Sequence, residues 1–197
     1  MRRSSTLSSR PAPIPIARET ARSAVKAIAT RERALRRLTR YLQQESLQVA
    51  TAESCTGGAL AEALTALPGS SHWFVAGWVV YSNAAKERDL GVQARTLLRH
   101  GAVSEPTVRE LARSALARSG ADVAVAISGI AGPGGAAPGK PVGTVWLGFA
   151  RREGGRVRVA AVCKRFRGDR LTVRARAVLA ALNGLYSMAK RSTLYSA

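Results

Sequence analysis

Apolar positions along the chain follow two different periods. From Arg18 to Glu45 they recur at helical spacing, with Ala24, Ile28, Leu35, Leu38 and Leu42 forming a stripe among arginines. That spacing predicts a helix. Ser46–Ala52, "SLQVATA", predicts the first strand, and Thr56–Leu67 a short Ala/Leu helix stopped by "PGS". Ser54 or Thr56 is the expected cap of that helix. Phe74–Tyr81, "FVAGWVVY", reads as a strand, and Ala84–Leu90 as one or two helical turns ending at Gly91, with Asn83 as cap. Ser104 and Pro106 open a helix to about Ser119, with Val108, Leu111, Ala112, Ala115 and Leu116 on one face. Ala121–Ser128 is a near-continuous apolar run, as in a strand buried on both faces.

A glycine/proline loop, Gly129–Gly139, follows. Val142–Ala150 and Val157–Phe166 then read as a hairpin around "RREGGR". Asp169 is placed to cap a last helix from Leu171 to about Tyr186. Helices and strands alternate first and a hairpin comes last. That order predicts an α/β fold, a three-layer α/β/α sandwich with a mixed β-sheet. We expect a basic tail over 1–17, a single domain over 18–187, and a second basic tail over 188–197.

Charge changes the picture less than its size suggests. The formal charge is +19, from 31 basic and 12 acidic residues. Such a balance suits a polyanion partner. Yet the excess is almost all arginine, which reads as compositional bias. No nucleic-acid motif appears, and the basic stretches lack interleaved aromatics, so nucleic acid is not expected as a partner. Only Lys26, Lys86, Lys140, Lys164 and Lys190 are lysines. In a chain that uses arginine for plain positive charge, a lysine is informative, because it can lose its proton.

Cys55 and Cys163 give neither zinc spacing nor a disulfide framework. The longest apolar runs are too short to span a bilayer, so no membrane association is expected. The first 20 residues lack the apolar core of a secretory signal, and the cytoplasm is the default location.

Three loops that follow predicted strands are crowded with small polar residues. In open α/β sheets ligands bind off the carboxyl ends of strands, so the three are candidates for one site. The first is "ESCTGG". It sets Ser54 beside Cys55, ahead of Gly57 and Gly58, whose backbone can approach a ligand closely. Amides at the next helix start suit an anion or a developing oxyanion. The stretch alone leaves open which of the two side chains reacts. Glu53 could form a salt bridge there. The second loop, "YSNAAKERDL", holds Tyr81, Asn83 and Lys86, and the dipole of the short helix disfavours a cation at Lys86. The third, Ser128 to Thr144, offers glycine amides and Lys140, which suit a phosphate. His72 and His100 are isolated.

"TAESCTGG", "SSHWFVAGWVVYSNAAK", "GAVSEPTV" and "AISGIAGPGG…KPVGTVW" together resemble the C-terminal domain family of the competence/damage-inducible protein CinA. The match runs from about Leu35 to Tyr186. It implies an α/β/α sandwich, usually a homo-oligomer, with a dimer expected. It also implies hydrolysis of nicotinamide mononucleotide to nicotinic acid mononucleotide and ammonia. The family's motif serine falls on Ser54, not Cys55, and its tyrosine and lysine on Tyr81 and Lys86. Its substrate-pocket segments fall on Thr56, Gly57, Gly58, Asn83 and the loop with Ser128, Gly129, Gly132 and Lys140. "FRGDR" adds Arg170 as a phosphate-site candidate. Gly134 departs from the family, where many members carry an acid.

The expected chemistry follows from what an amide needs. A serine hydroxyl requires a base. Without a histidine, a desolvated neutral lysine is the natural one. Ser54 would attack, Lys86 with Tyr81 would pass the proton to departing ammonia, and amides of Thr56–Gly58 would hold the oxyanion. No metal or cofactor is expected. The competing reading is a non-catalytic nucleotide-binding module, which loss of Ser54 or Lys86 would have favoured.

Overall fold

The structure is a computed structural model that describes residues 15–191, with side chains from residue 25 onward. The two expected tails fall largely outside the described residues. Packing divides the chain into two units, Met1–Arg33 and Ala34–Ala197. The first helix, α1, spans Pro15–Gln44. Within the second unit its residues Leu35, Leu38 and Leu42 are buried, as their spacing predicts. Ile28, expected on the same stripe, is instead 61% exposed. It belongs to the other unit, so the core face of α1 begins only at Ala34.

Five strands form one sheet: β1 Val49–Glu53, β2 Phe74–Val79, β3 Val123–Gly129, β4 Thr144–Glu153 and β5 Arg156–Arg165. Their order is β2-β1-β3-β4-β5. β1 pairs in parallel with β2 and β3, whereas β3–β4 and β4–β5 are antiparallel. The sheet is therefore mixed, as expected. The remaining helices are α2 Ala59–Thr65, α3 Asn83–Leu90, α4 Ala94–His100, α5 Glu105–Ser119 and α6 Arg170–Ala189. One apolar cluster includes Leu60, Val125, Phe149 and Leu182; the other, on the opposite face, includes Ala50, Leu97, Leu111 and Ala126. Sheet and two helical layers make the α/β/α sandwich. No helix among the described residues is long and apolar enough to cross a membrane.

Local chemistry explains most boundaries. Ser104 accepts from the Thr107 amide, and Asp169 from the Thr172 amide, so both caps stand where the sequence puts them. The hairpin turns on Gly154 and Gly155, both at positive φ, which a two-residue turn of this hand requires. The strands consequently run on to Glu153 and from Arg156, beyond the expected limits. The helix α4 was not expected. It has seven residues and no side-chain cap, and it is held through Thr96 and Leu97 while Leu98 stands 91% exposed.

Candidate active site

The chain leaves β1 towards β2 on one side and β3 on the other. A crevice at such a switch point, beyond the strand ends, is where α/β sheets take ligands. Ser54 is the first residue past β1. Its amide continues the ladder by donating to the Ile127 carbonyl at 3.0 Å. On the other side the Val80 amide donates to the Glu53 carbonyl at 2.8 Å, which draws the end of β2 alongside.

The turn after Ser54 is not capped by Ser54 or Thr56. The N-terminal position of α2 is Gly58, at φ 92, with no side-chain cap of its own. The capping group is Glu53. Its buried carboxylate accepts from the amides of Gly58 at 3.1 Å, Leu60 at 3.0 Å and Ala61 at 2.8 Å. Three otherwise orphaned helix donors are thereby satisfied, and among the described residues Glu53 forms no salt bridge. Glu53→Ala would leave them unpaired, the Leu60 amide in the buried interior and the other two half-buried. We expect a loss of about 3 kcal/mol in stability, read by denaturant unfolding, with Glu53→Gln intermediate.

This arrangement narrows the oxyanion donors. The Gly58 amide is committed to Glu53, and the Gly57 amide to the Ser54 carbonyl at 3.0 Å. The Thr56 amide donates to no acceptor among the described residues. The Thr56 hydroxyl is also buried without a hydrogen-bond partner. Arg174 of α6 fixes the turn from outside, Nη2 donating to the Thr56 carbonyl at 2.8 Å. Its part was not read from the sequence, although it stands one helical turn beyond Arg170.

Lys86 comes from α3, whose cap is Ser82 rather than Asn83: the Ser82 hydroxyl accepts from the Ala85 amide. Asn83 is exposed as the first residue of the helix. The Lys86 side chain folds inward and is only 1% exposed. Its Nζ lies 2.9 Å from the Val80 carbonyl, 3.0 Å from that of Tyr81, and 3.4 Å from both the Ser82 carbonyl and Ser54 Oγ. A neutral amine has two N–H groups and one lone pair. The two closest carbonyls can take both N–H groups, leaving the lone pair for the Ser54 proton. Burial pushes the Lys86 pKa below the usual lysine value, because the charged form loses hydration.

Cys55 is the other candidate nucleophile. Burial pushes its thiol up to about 11, Glu53 adds to the rise, and Arg170 and Arg174 oppose it. At pH 7 about one part in 10⁴ would be thiolate. Among the described residues no hydrogen bond joins this thiol to Lys86, whereas Ser54 Oγ has one. Cys55→Ala should leave turnover within about threefold of the parent, since Lys86 contacts the Ser54 hydroxyl and not the thiol.

The remaining expected residues divide. Tyr81 meets Lys86 through its carbonyl, while its side chain is 58% exposed and its hydroxyl accepts from Arg170 Nη2 at 3.1 Å. A relay through the phenol would therefore need a side-chain movement. Arg170 Nη1 also donates to the Gly132 carbonyl at 2.8 Å, joining α6 to the glycine-rich loop. Lys140 is a strap, donating to the His100 carbonyl at 2.8 Å. The buried Ser128 hydroxyl donates to the Ala102 carbonyl at 2.7 Å. Gly129 lies against β4, where a Cβ would come 2.7 Å from Val145 Cγ2. Among the described residues no group of three or more His, Cys, Asp or Glu could hold a metal ion.

Comparison with known proteins gives the family. A Pseudomonas putida protein named nicotinamide-nucleotide amidohydrolase PncC is 52% identical over 152 residues, 77% of this chain and 92% of the relative. A protein of the same name from Escherichia coli K12 is 49% identical over 154 residues, covering 90% of its length. The chain spans only 28% of a CinA-like protein from Akkermansia muciniphila, to which it is 60% identical over 114 residues. The crystal structure of a CinA superfamily protein from Klebsiella pneumoniae superposes with a TM-score of 0.75 at 41% identity, covering 82% of this chain and 98% of that one. The model of the CinA C-terminal domain matches residues 31–189. The chain belongs to the CinA C-terminal domain family.

Proposed function

We propose that the protein hydrolyses the carboxamide of nicotinamide mononucleotide, giving nicotinic acid mononucleotide and ammonia. The observation that carries this reading is the buried Lys86 Nζ, 3.4 Å from Ser54 Oγ, at the switch point of the sheet. The names of the full-length relatives supply the substrate. Ser54 Oγ attacks the carboxamide carbon as its proton passes to Lys86. The Thr56 amide and hydroxyl stabilise the oxyanion. Lys86 then protonates the departing nitrogen, the C–N bond breaks, and ammonia leaves. Water hydrolyses the resulting ester with Lys86 again as base, and Ser54 is regenerated. The 3.4 Å separation is long for a hydrogen bond, and such contacts tighten when substrate binds.

Arg170 and the loop at Gly132 hold the phosphate in this reading. Proton transfer, the oxyanion and the leaving group are all served by side chains and amides, so the scheme uses no cofactor. We place the reaction in the cytoplasm, in recycling of pyridine nucleotides, by a homodimer. The phosphate assignment has its own test. Nicotinamide riboside lacks the phosphate, and we expect its kcat/KM to fall by about 10² or more, with Arg170→Ala bringing the nucleotide down towards the riboside. Equal turnover of riboside and nucleotide would remove the case for a phosphate site.

A further inference from the structure

A second cavity lies away from Ser54, between α6 and the edge strand β5. α6 packs on β3 and β4, and α5 packs on the other face of β5. Among the described residues the face of β5 beside α6 borders a cavity of about 730 Å³. Leu147 and Phe149 of β4 contribute to its floor, with Val162 and Phe166 from β5 and the residue after it. Leu147 and Val162 are register partners, so they form one continuous apolar surface. Leu179 and Ala180 of α6 line it too. The volume is within the ~300–1,000 Å³ usual for small-ligand sites.

The charged residues lining this cavity are all cations: Arg37, Lys164, Arg176 and Lys190. Three of them are held by contacts to neutral groups among the described residues. Arg37 donates to Asn183 Oδ1 at 2.9 Å and stacks 4.3 Å from the Tyr186 ring centre. Lys190 Nζ is 5.5 Å from the same ring. Arg176 donates to the Arg167 carbonyl at 2.6 Å. An apolar floor with a one-signed rim concentrates positive potential over a greasy surface.

We propose that this groove binds a small amphiphilic anion, its apolar body on the floor and its carboxylate or phosphate at the rim. Charge complementarity selects this occupant, because every charged residue lining the groove is a cation. Basic segments of the chain itself are disfavoured for the same reason.

The probe is 1-anilinonaphthalene-8-sulfonate, followed by fluorescence on the full chain. Saturable one-to-one binding is expected, weakening with salt. Arg176→Glu reverses a rim charge and Ala180→Trp fills the groove. Each should weaken binding about tenfold or more, with melting temperature and ammonia release unchanged. Displacement by decanoate would mark an aliphatic carboxylate as the preferred class, and displacement by adenosine monophosphate an aromatic phosphate. Unaltered probe affinity in both variants would overturn the proposal. So would light scattering that shows a dimer split to monomers by Ala180→Trp, because the groove would then be a self-interface.

Discussion

Ser54→Ala is expected to lower kcat for ammonia release from nicotinamide mononucleotide by at least about 10³-fold, with KM nearly unchanged. The residue removes no large binding surface, so the loss falls on the chemical step. The neighbouring thiol cannot substitute. Burial raises its pKa to about 11, and among the described residues it is the Ser54 hydroxyl, not the thiol, that is hydrogen-bonded to Lys86 Nζ. Circular dichroism should show an unchanged fold, since Ser54 lies in a turn fixed by Glu53 and Arg174 rather than by its own hydroxyl. Activity within tenfold of the parent would move the nucleophile elsewhere.

Lys86→Arg is the second large effect. Arginine keeps a positive charge but cannot act as a base near neutral pH, so kcat should fall by about 10³. The pH dependence gives a sharper signature. In the proposed scheme Lys86 acts as the neutral amine, so kcat/KM should rise with pH through the lowered Lys86 pKa, and that limb should vanish in the variant. Stability carries the same sign. Between the folded pKa and the ordinary 10.5, the unfolded chain holds more protons at this position than the folded one. The contribution of Lys86 to stability therefore increases with pH across that window. Cys55 opposes it, because the folded chain holds the thiol proton between 9.0 and about 11 and stability falls there. Comparing the parent with Lys86→Met isolates the lysine, and only the parent should show its rise.

Sequence pattern was most informative where structure is decided locally. The caps at Ser104 and Asp169 and the Gly154–Gly155 turn each depend on a few neighbouring residues. Pairing of Ser54 with Lys86 was legible for another reason: a lysine stands out in an arginine-rich chain, and the family motif spans both. What the pattern did not carry depends on distant partners. Glu53 gave no sign of capping a helix from the preceding strand, because its three amide donors are set by how β1 meets α2. Lys140 reads as free charge in a glycine-rich loop, yet it meets a carbonyl 40 residues away. Arg174 acts through a backbone carbonyl 118 residues distant. Ile28 has the right period for burial, but period alone does not say where the core ends.

The acyl-enzyme on Ser54 is the central claim, and hydroxylamine added to the nicotinamide mononucleotide assay tests it most directly. An ester at Ser54 partitions between water and the added nucleophile. The hydroxamate of the substrate should therefore form at the expense of nicotinic acid mononucleotide, while ammonia release continues and both products disappear in Ser54→Ala. Undiminished formation of the acid with no hydroxamate, or hydroxamate that persists in Ser54→Ala, would contradict the account.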